Sequence, residues 1–261
     1  MSTLIKPFNL DQARGMVLGM ALGSVRGGSP EQQARGQWGA AASQALCMAQ
    51  MLRSANGWDP EDVMRRFVNW RDFGYLSSTR VCFGLDETVA KAIERFQATG
   101  NPYGGVETSV DGGAIARLAS VVVAYGGRVE SASAVARLQA RLTHGDAQSQ
   151  AASAVVAEFM VTGESAVLTA VDTAPQNPST VEDVLNAAIW ALGVGDDFAT
   201  TLDAACALGG VTELVGAVAG QLAGRRYGYS GLPADWLARL HDHDKILGIA
   251  DDLHAMRPID V

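Results

Sequence analysis

The chain has 261 residues, 48% of them hydrophobic and 18% charged, with 28 acidic against 20 basic side chains for a formal net charge of -8. That apolar fraction excludes disorder as the main state, and the length suffices for one well-buried domain but not for three. A basic nucleic-acid surface is excluded too, since Lys6, Lys91 and Lys245 are the only lysines and the arginines are scattered.

In chain order, the first ten residues lack the charged start and long apolar run of a secretory signal. Asn9 and Gln12 have the spacing of a capping box and predict a helix start. The most apolar short stretch, Met16 to Leu22, falls well below the roughly 20 residues that span a bilayer. Gly15, Gly19 and Gly23 recur every fourth residue, as do Gly216, Gly220 and Gly224. Glycines so spaced share one helix face and let a second backbone approach, which predicts a tight helix pair made from the two ends of the chain. By itself this spacing is core packing and marks no site.

Asp59 before Pro60 reads as a helix cap, and Gly57, Gly74, Gly126 with Gly127, and Gly163 read as helix stops. Ser120 to Tyr125 fits a strand or a buried helix equally well. Val135, Leu138 and Leu142 are helically spaced. The segment Asp172 to Thr180 is a loop by its Pro, Asn and Ser content. Ser179 and Glu182 have capping-box spacing before a helix carrying Val181, Leu185, Ala188, Ile189 and Leu192 on one face. The expectation is an all-α fold of about ten short helices, one domain over residues 1–261. Cys47, Cys82 and Cys206 are odd in number and unpaired in spacing, so they are expected as buried free thiols in a soluble cytoplasmic protein without a membrane partner.

The chemistry-bearing residues are few. Asp111 precedes Gly112 and Gly113, where it is either a turn residue or a contact for a sugar hydroxyl. His144, a single histidine at a helix end, reads on its own as a helix cap or a surface group. Glu213 is a helix-start acid that favours the dipole, or a lone acid or base. Gly112-Gly113 and Gly209-Gly210 are placed to offer backbone amides to a pyrophosphate. His241 and His243 are two apart, so they point to different helix faces and do not form a metal pair.

An ordered series of fragments resembles the ADP-ribosylglycohydrolase family, the all-helical enzymes related to the hydrolase that removes ADP-ribose from dinitrogenase reductase. It comprises Ala13 to Gly23 as the opening helix, Arg35-Gly-Gln-Trp38 before the first metal motif, and Ser109 to Arg117 as a glycine loop. Leu142-Thr-His144 and Gly209 to Gly220 follow, then Tyr227-Gly, Leu232-Pro233 and Trp236-Leu237; the likeness covers about residues 13–253. It implies a compact orthogonal helical bundle and a cleft binding ADP-ribose, with Trp38, Asp111, Gly112, Gly113, His144, Gly209, Gly210, Thr212 and Glu213 near the ligand. In the family two magnesium or manganese ions, held by Thr-Asp-Asp and Asp-x-Asp-Thr motifs, orient the ribose and activate water.

Here the first motif falls on Gly39, Ala40, Ala41 and Ala42, and the second on Val211, Glu213 and Leu214, while an acid of the opening helix falls on Ser24. Of five acids implied, only Glu213 is still a carboxylate. No bound metal or other cofactor is therefore expected. Three readings follow. The first is a non-hydrolytic homologue binding ADP-ribose, a related nucleotide or a protein partner. The second is a metal-independent glycosidase or lyase using Glu213, Asp111 or His144. The third is a structural subunit or homo-oligomer with a filled cleft. The sequence sets no oligomeric state.

Overall fold

The computed structural model describes residues 7–55 and 57–256, so the first six residues of the segment tested for a signal lie outside it. The described residues are all-α, with thirteen α-helices and three short 3-10 turns. This exceeds the expected ten because pieces such as α2 (Pro30–Arg35) and α12 (Ala234–Arg239) span six residues each, too short to show a periodicity.

Helix α1 (Leu10–Gly27) starts at the expected Asn9–Gln12 capping box and runs antiparallel to α11 (Thr212–Tyr227). A Cβ on Gly15, Gly19 or Gly23 would lie within 3 Å of the backbone at Gly224, Gly220 or Gly216 respectively. Both helices are buried through their middle turns, Gly15–Ser24 and Val215–Arg225. The pair forms the axis of the molecule. Helix α3 (Ala40–Ala55) packs beside it, with α6 (Ala119–Tyr125), α9 (Val181–Val194), α10 (Phe198–Ala207) and α13 (His243–Ala255) around it.

The ambiguous Ser120–Tyr125 stretch is helical and wholly buried in α6, where a continuous apolar run needs no polar face. Asp59 caps α4 (Pro60–Phe73), and Gly74 and Gly163 end their helices at φ 66° and 73°, in the left-handed region. The start of α9 lies one residue later than expected. Thr180 and Asp183, not Ser179 and Glu182, form the capping box, because fully buried Val181 sets the register of the first turn. Cys47 is buried, but Cys82 and Cys206 are partly exposed, correcting the expectation that all three lie inside. Among the surface acids, Asp251 pairs with Arg14, Asp252 with Arg53 and Asp62 with Arg66, tying helices to one another and to themselves. No helix of the described residues is long and apolar enough to cross a membrane.

Candidate functional site

A cavity of about 310 Å³ opens where the starts of α3 and α11 meet. Its walls come from Ala40, Ala41 and Gln44 of α3, from Gly84 and Asp86, from Gly113, and from Gly210 to Leu214. The Gly209-Gly210 turn is held by the loop before α9: Leu208 and Pro178 carbonyls accept from the amides of Asn177 and Val211 at 3.0 Å. Both glycines have positive φ, 79° and 66°, which is why this turn needs them. Positions 40, 41, 211 and 214, separated in sequence, therefore share one cavity.

Glu213 sits in the first turn of α11 and reaches across to α3. Its Oε1 accepts the Ser24 hydroxyl at 3.0 Å, and the Ala41 amide donates to the carboxylate as well. Ser24, fully buried, also accepts the Gly39 amide at 2.8 Å. A Cβ on Gly39 would fall within 3 Å of the whole Glu213 carboxyl group. The carboxylate thus caps the start of α3 while lying in the first turn of α11, where negative charge favours the helix dipole. Burial pushes its pKa up, opposed by Ser24 and Ala41 and aided by the negative charge of Asp86.

Asp111 lies one layer behind Gly113. Oδ1 accepts from the Gly113 amide and bonds His144 Nε2, both at 2.8 Å, while Oδ2 accepts from Ser109 Oγ at 2.8 Å and Thr88 Oγ1 at 2.9 Å. Burial alone would raise its pKa, but His144, the Gly113 amide and Ser109 hold it well below the ordinary carboxylate range. Both oxygens are engaged, so Asp111 fastens the glycine loop rather than standing free to take a proton. His144 has no exposure and bonds Thr143 Oγ1 through Nδ1 at 2.7 Å. Buried His144 and partly exposed Asp111 thus form one hydrogen-bonded pair.

The expected site residues therefore divide. Gly113, Gly210, Thr212 and Glu213 line the cavity; Thr212 also donates its hydroxyl to the Gly27 carbonyl at 2.6 Å, sealing the end of α1. Asp111 and His144 support the wall from behind. Trp38, Gly112 and Gly209 do not line it. Trp38 is 2% exposed and turned toward His241, with ring centres 5.6 Å apart, and its carbonyl accepts from Ser78 Oγ at 2.7 Å. Gly112 faces Val184, and Gly209 abuts the Asn177 side chain. His241 and His243 part as expected, the latter bonding Tyr229 at 3.2 Å and Asp244 at 2.9 Å.

Sequence reasoning missed Asp86 and Gln44. Asp86 caps α5 (Glu87–Thr99) by accepting from the Val89 amide at 2.8 Å, and an Asp before Glu87-Thr88 was legible as a cap. Gln44 lies one turn beyond Ala40 on the same helix face, so the frame that located Ala40 also pointed to it. Among the described residues, no group of three or more His, Cys, Asp or Glu side chains is placed to hold a metal ion. A second groove, about 220 Å³, lies between α1, α2 and α12. Its Arg26 and Arg239 are paired with Asp203 and Asp235, so it offers apolar wall and no free charge.

The comparisons bear on the family and the fold. The model of the ADP-ribosylglycohydrolase family matches residues 6–180 and 163–259. A relative from Serratia proteamaculans named ADP-ribosylarginine hydrolase Tri1 is 27% identical over 96% of this chain and 81% of its own length. One of the same name from Pseudomonas putida is 26% identical over 98% and 81%. A solved structure titled ADP-ribosylglycohydrolase-related protein complex superimposes with a TM-score of 0.84 at 30% identity, covering 95% of this chain and 98% of the other. With the fold, the motif order and the shared cavity agreeing, the chain belongs to the ADP-ribosylglycohydrolase family.

Proposed function

We propose that this chain is a family member without the two-metal site, one that holds an ADP-ribose-like ligand in the cavity and does not hydrolyse it. The position of Glu213 carries the reading. Two hard cations need several carboxylate and hydroxyl oxygens apiece. The cavity offers two carboxylates, Asp86 and Glu213, among Ala40, Ala41, Gly84, Val211 and Leu214. One of the two is already committed to the Ser24 hydroxyl and the Ala41 amide, in the space that a side chain at position 39 would enter. This donor set does not fit a pair of magnesium or manganese ions.

Relatives named for ADP-ribosylarginine direct the choice of ligand to ADP-ribose or an ADP-ribosylated arginine, free or on a protein partner. The same reading takes residues 1–261 as one cytoplasmic domain, supported by a family match reaching from residue 6 to 259 and by three free cysteines. The open cavity counts against a filled cleft, since alanine and glycine side chains are too small to close it.

Titration calorimetry with ADP-ribose tests the proposal. Binding should be unchanged between chelator and added manganese, and ADP-ribosylarginine should stay intact on chromatography. Manganese-dependent release of ADP-ribose would overturn it. A second reading draws on the raised pKa of Glu213 beside Asp86, two carboxyl groups of unlike environment in one cavity. It requires release that persists in chelator and collapses in Glu213→Gln.

A further inference from the structure

Behind the cavity wall lies a guanidinium with no exposed atom. Arg117, 0% exposed, touches no carboxylate. Its donors reach Gln139 Oε1 at 3.0 Å, the Gln139 carbonyl at 3.3 Å, Thr143 Oγ1 at 2.6 Å and Gln44 Oε1, and its plane lies 5.4 Å from the centre of the Phe67 ring. Burial lowers its pKa to about 10, against the attraction of Asp86 and Asp111, so it remains a cation at neutral pH.

An arginine has donors only, so the Gln44 carboxamide has one permitted orientation: oxygen to Arg117 and NH2 away from it. Gln44 is 3% exposed and lines the cavity, and none of the described residues accepts from its NH2. The cavity wall therefore presents a donor whose direction is enforced from behind, in the same lining as the carboxylates of Asp86 and Glu213.

We propose that Gln44 is the specificity-determining residue of this cavity, positioned by Arg117, and that it selects a ligand presenting hydroxyl groups, as a pentose does; this deepens the ligand-binding reading above and rests on it. A hydroxyl accepts from the Gln44 NH2 and donates to a carboxylate, satisfying both signs. A bare cation would meet the positive end of the amide. A phosphate would meet two carboxylates. A group that both donates and accepts matches a wall carrying one outward amide donor and two carboxylates.

The test uses the full chain labelled with 15N-glutamine, the Gln44 side-chain NH2 signals being assigned by their loss in Gln44→Leu. D-ribose, methylguanidinium and inorganic phosphate are titrated separately. Ribose should shift the Gln44 pair saturably, and the other two should not. A saturable shift with either ion and none with ribose, or no shift with any probe, overturns the proposal. Gln44→Glu keeps a partner for Arg117 and removes the donor. It should fold, as circular dichroism reads, and bind ribose about tenfold more weakly, the equivalent of one hydrogen bond. In Arg117→Met the ribose affinity should fall as well; unchanged affinity in the folded variant would refute the positioning role. The two readings separate cleanly. If ribose moves Gln44 while ADP-ribose fails to bind, the nucleotide reading falls and the hydroxyl site stands. If ADP-ribose binds equally to wild type and Gln44→Glu, the assignment of Gln44 falls and the nucleotide reading stands.

Discussion

The contact between Gly39 and Glu213 makes a prediction whose sign reverses with context. In Gly39→Ala the new methyl enters the space of the Glu213 carboxyl group, which must swing away from the Ser24 hydroxyl and the Ala41 amide. Each hydrogen bond to a charged group contributes about 1.5–3 kcal/mol, and the displaced carboxylate regains water from the cavity, so a net loss of about 2 kcal/mol is expected. The urea midpoint should fall by about 1 M. In a Glu213→Ala background the obstacle is gone. Gly39 is not a positive-φ residue, so the same alanine should then stabilise by about 0.4–1 kcal/mol through the unfolded chain. A double-mutant cycle read by urea unfolding therefore gives a coupling of about 2–3 kcal/mol. Equal effects of Gly39→Ala in both backgrounds would refute the placement of the Glu213 carboxylate on which the proposed function rests.

Three further outcomes are expected. Gly220→Ala should destabilise by about 2–3 kcal/mol, because its methyl would meet the Gly19 backbone, whereas Gly193→Ala in α9 has open space and should stabilise by up to ~1 kcal/mol; thermal melts compare them. The raised pKa of Glu213 means the folded chain holds that proton more tightly than the unfolded chain, so its contribution is complete below the ordinary carboxylate value and is lost as pH rises through the raised one. Urea midpoints of Glu213→Gln minus wild type should accordingly climb with pH across that window; a falling difference would contradict the burial argument. Asp111 behaves oppositely, its contribution being present above the ordinary value and lost as pH falls through the depressed one. Asp111→Ala leaves the Gly113 amide and His144 without their acceptor, and Ser109 and Thr88 with only each other, and should cost about 3 kcal/mol near neutral pH, read as a melting point lower by roughly 6–12 °C.

The long-range pairing of α1 with α11 was legible because glycine spacing reports directly on how close two backbones come. The cavity was legible at Gly113, Gly210, Thr212 and Glu213, where the motif order fixed the frame. Trp38 misled for a physical reason: adjacency to the start of α3 places its backbone beside the site, while its side chain takes the opposite, buried direction toward His241. Capping-box spacing at Ser179 gave the right element and the wrong register, since two overlapping pairs fit the rule and burial of Val181 decides between them. The network joining Arg117 to Gln44, Thr143 and, through Thr143, to His144 and Asp111 lay beyond sequence reasoning, as its members come from separate elements and share no spacing.

The bond between Ser24 and Glu213 spans 189 residues. At translation speeds of about 5–20 residues per second, the first helix leaves the ribosome roughly 10–40 s before the partner that completes the cavity floor is made. Through that interval the glycine-marked face of α1 has no native backbone to rest on. A chain released before α11 is made has neither axis nor cavity, so truncation removes the site and the fold in one stroke. The order of synthesis thus leaves α1 without its packing partner until α11 emerges.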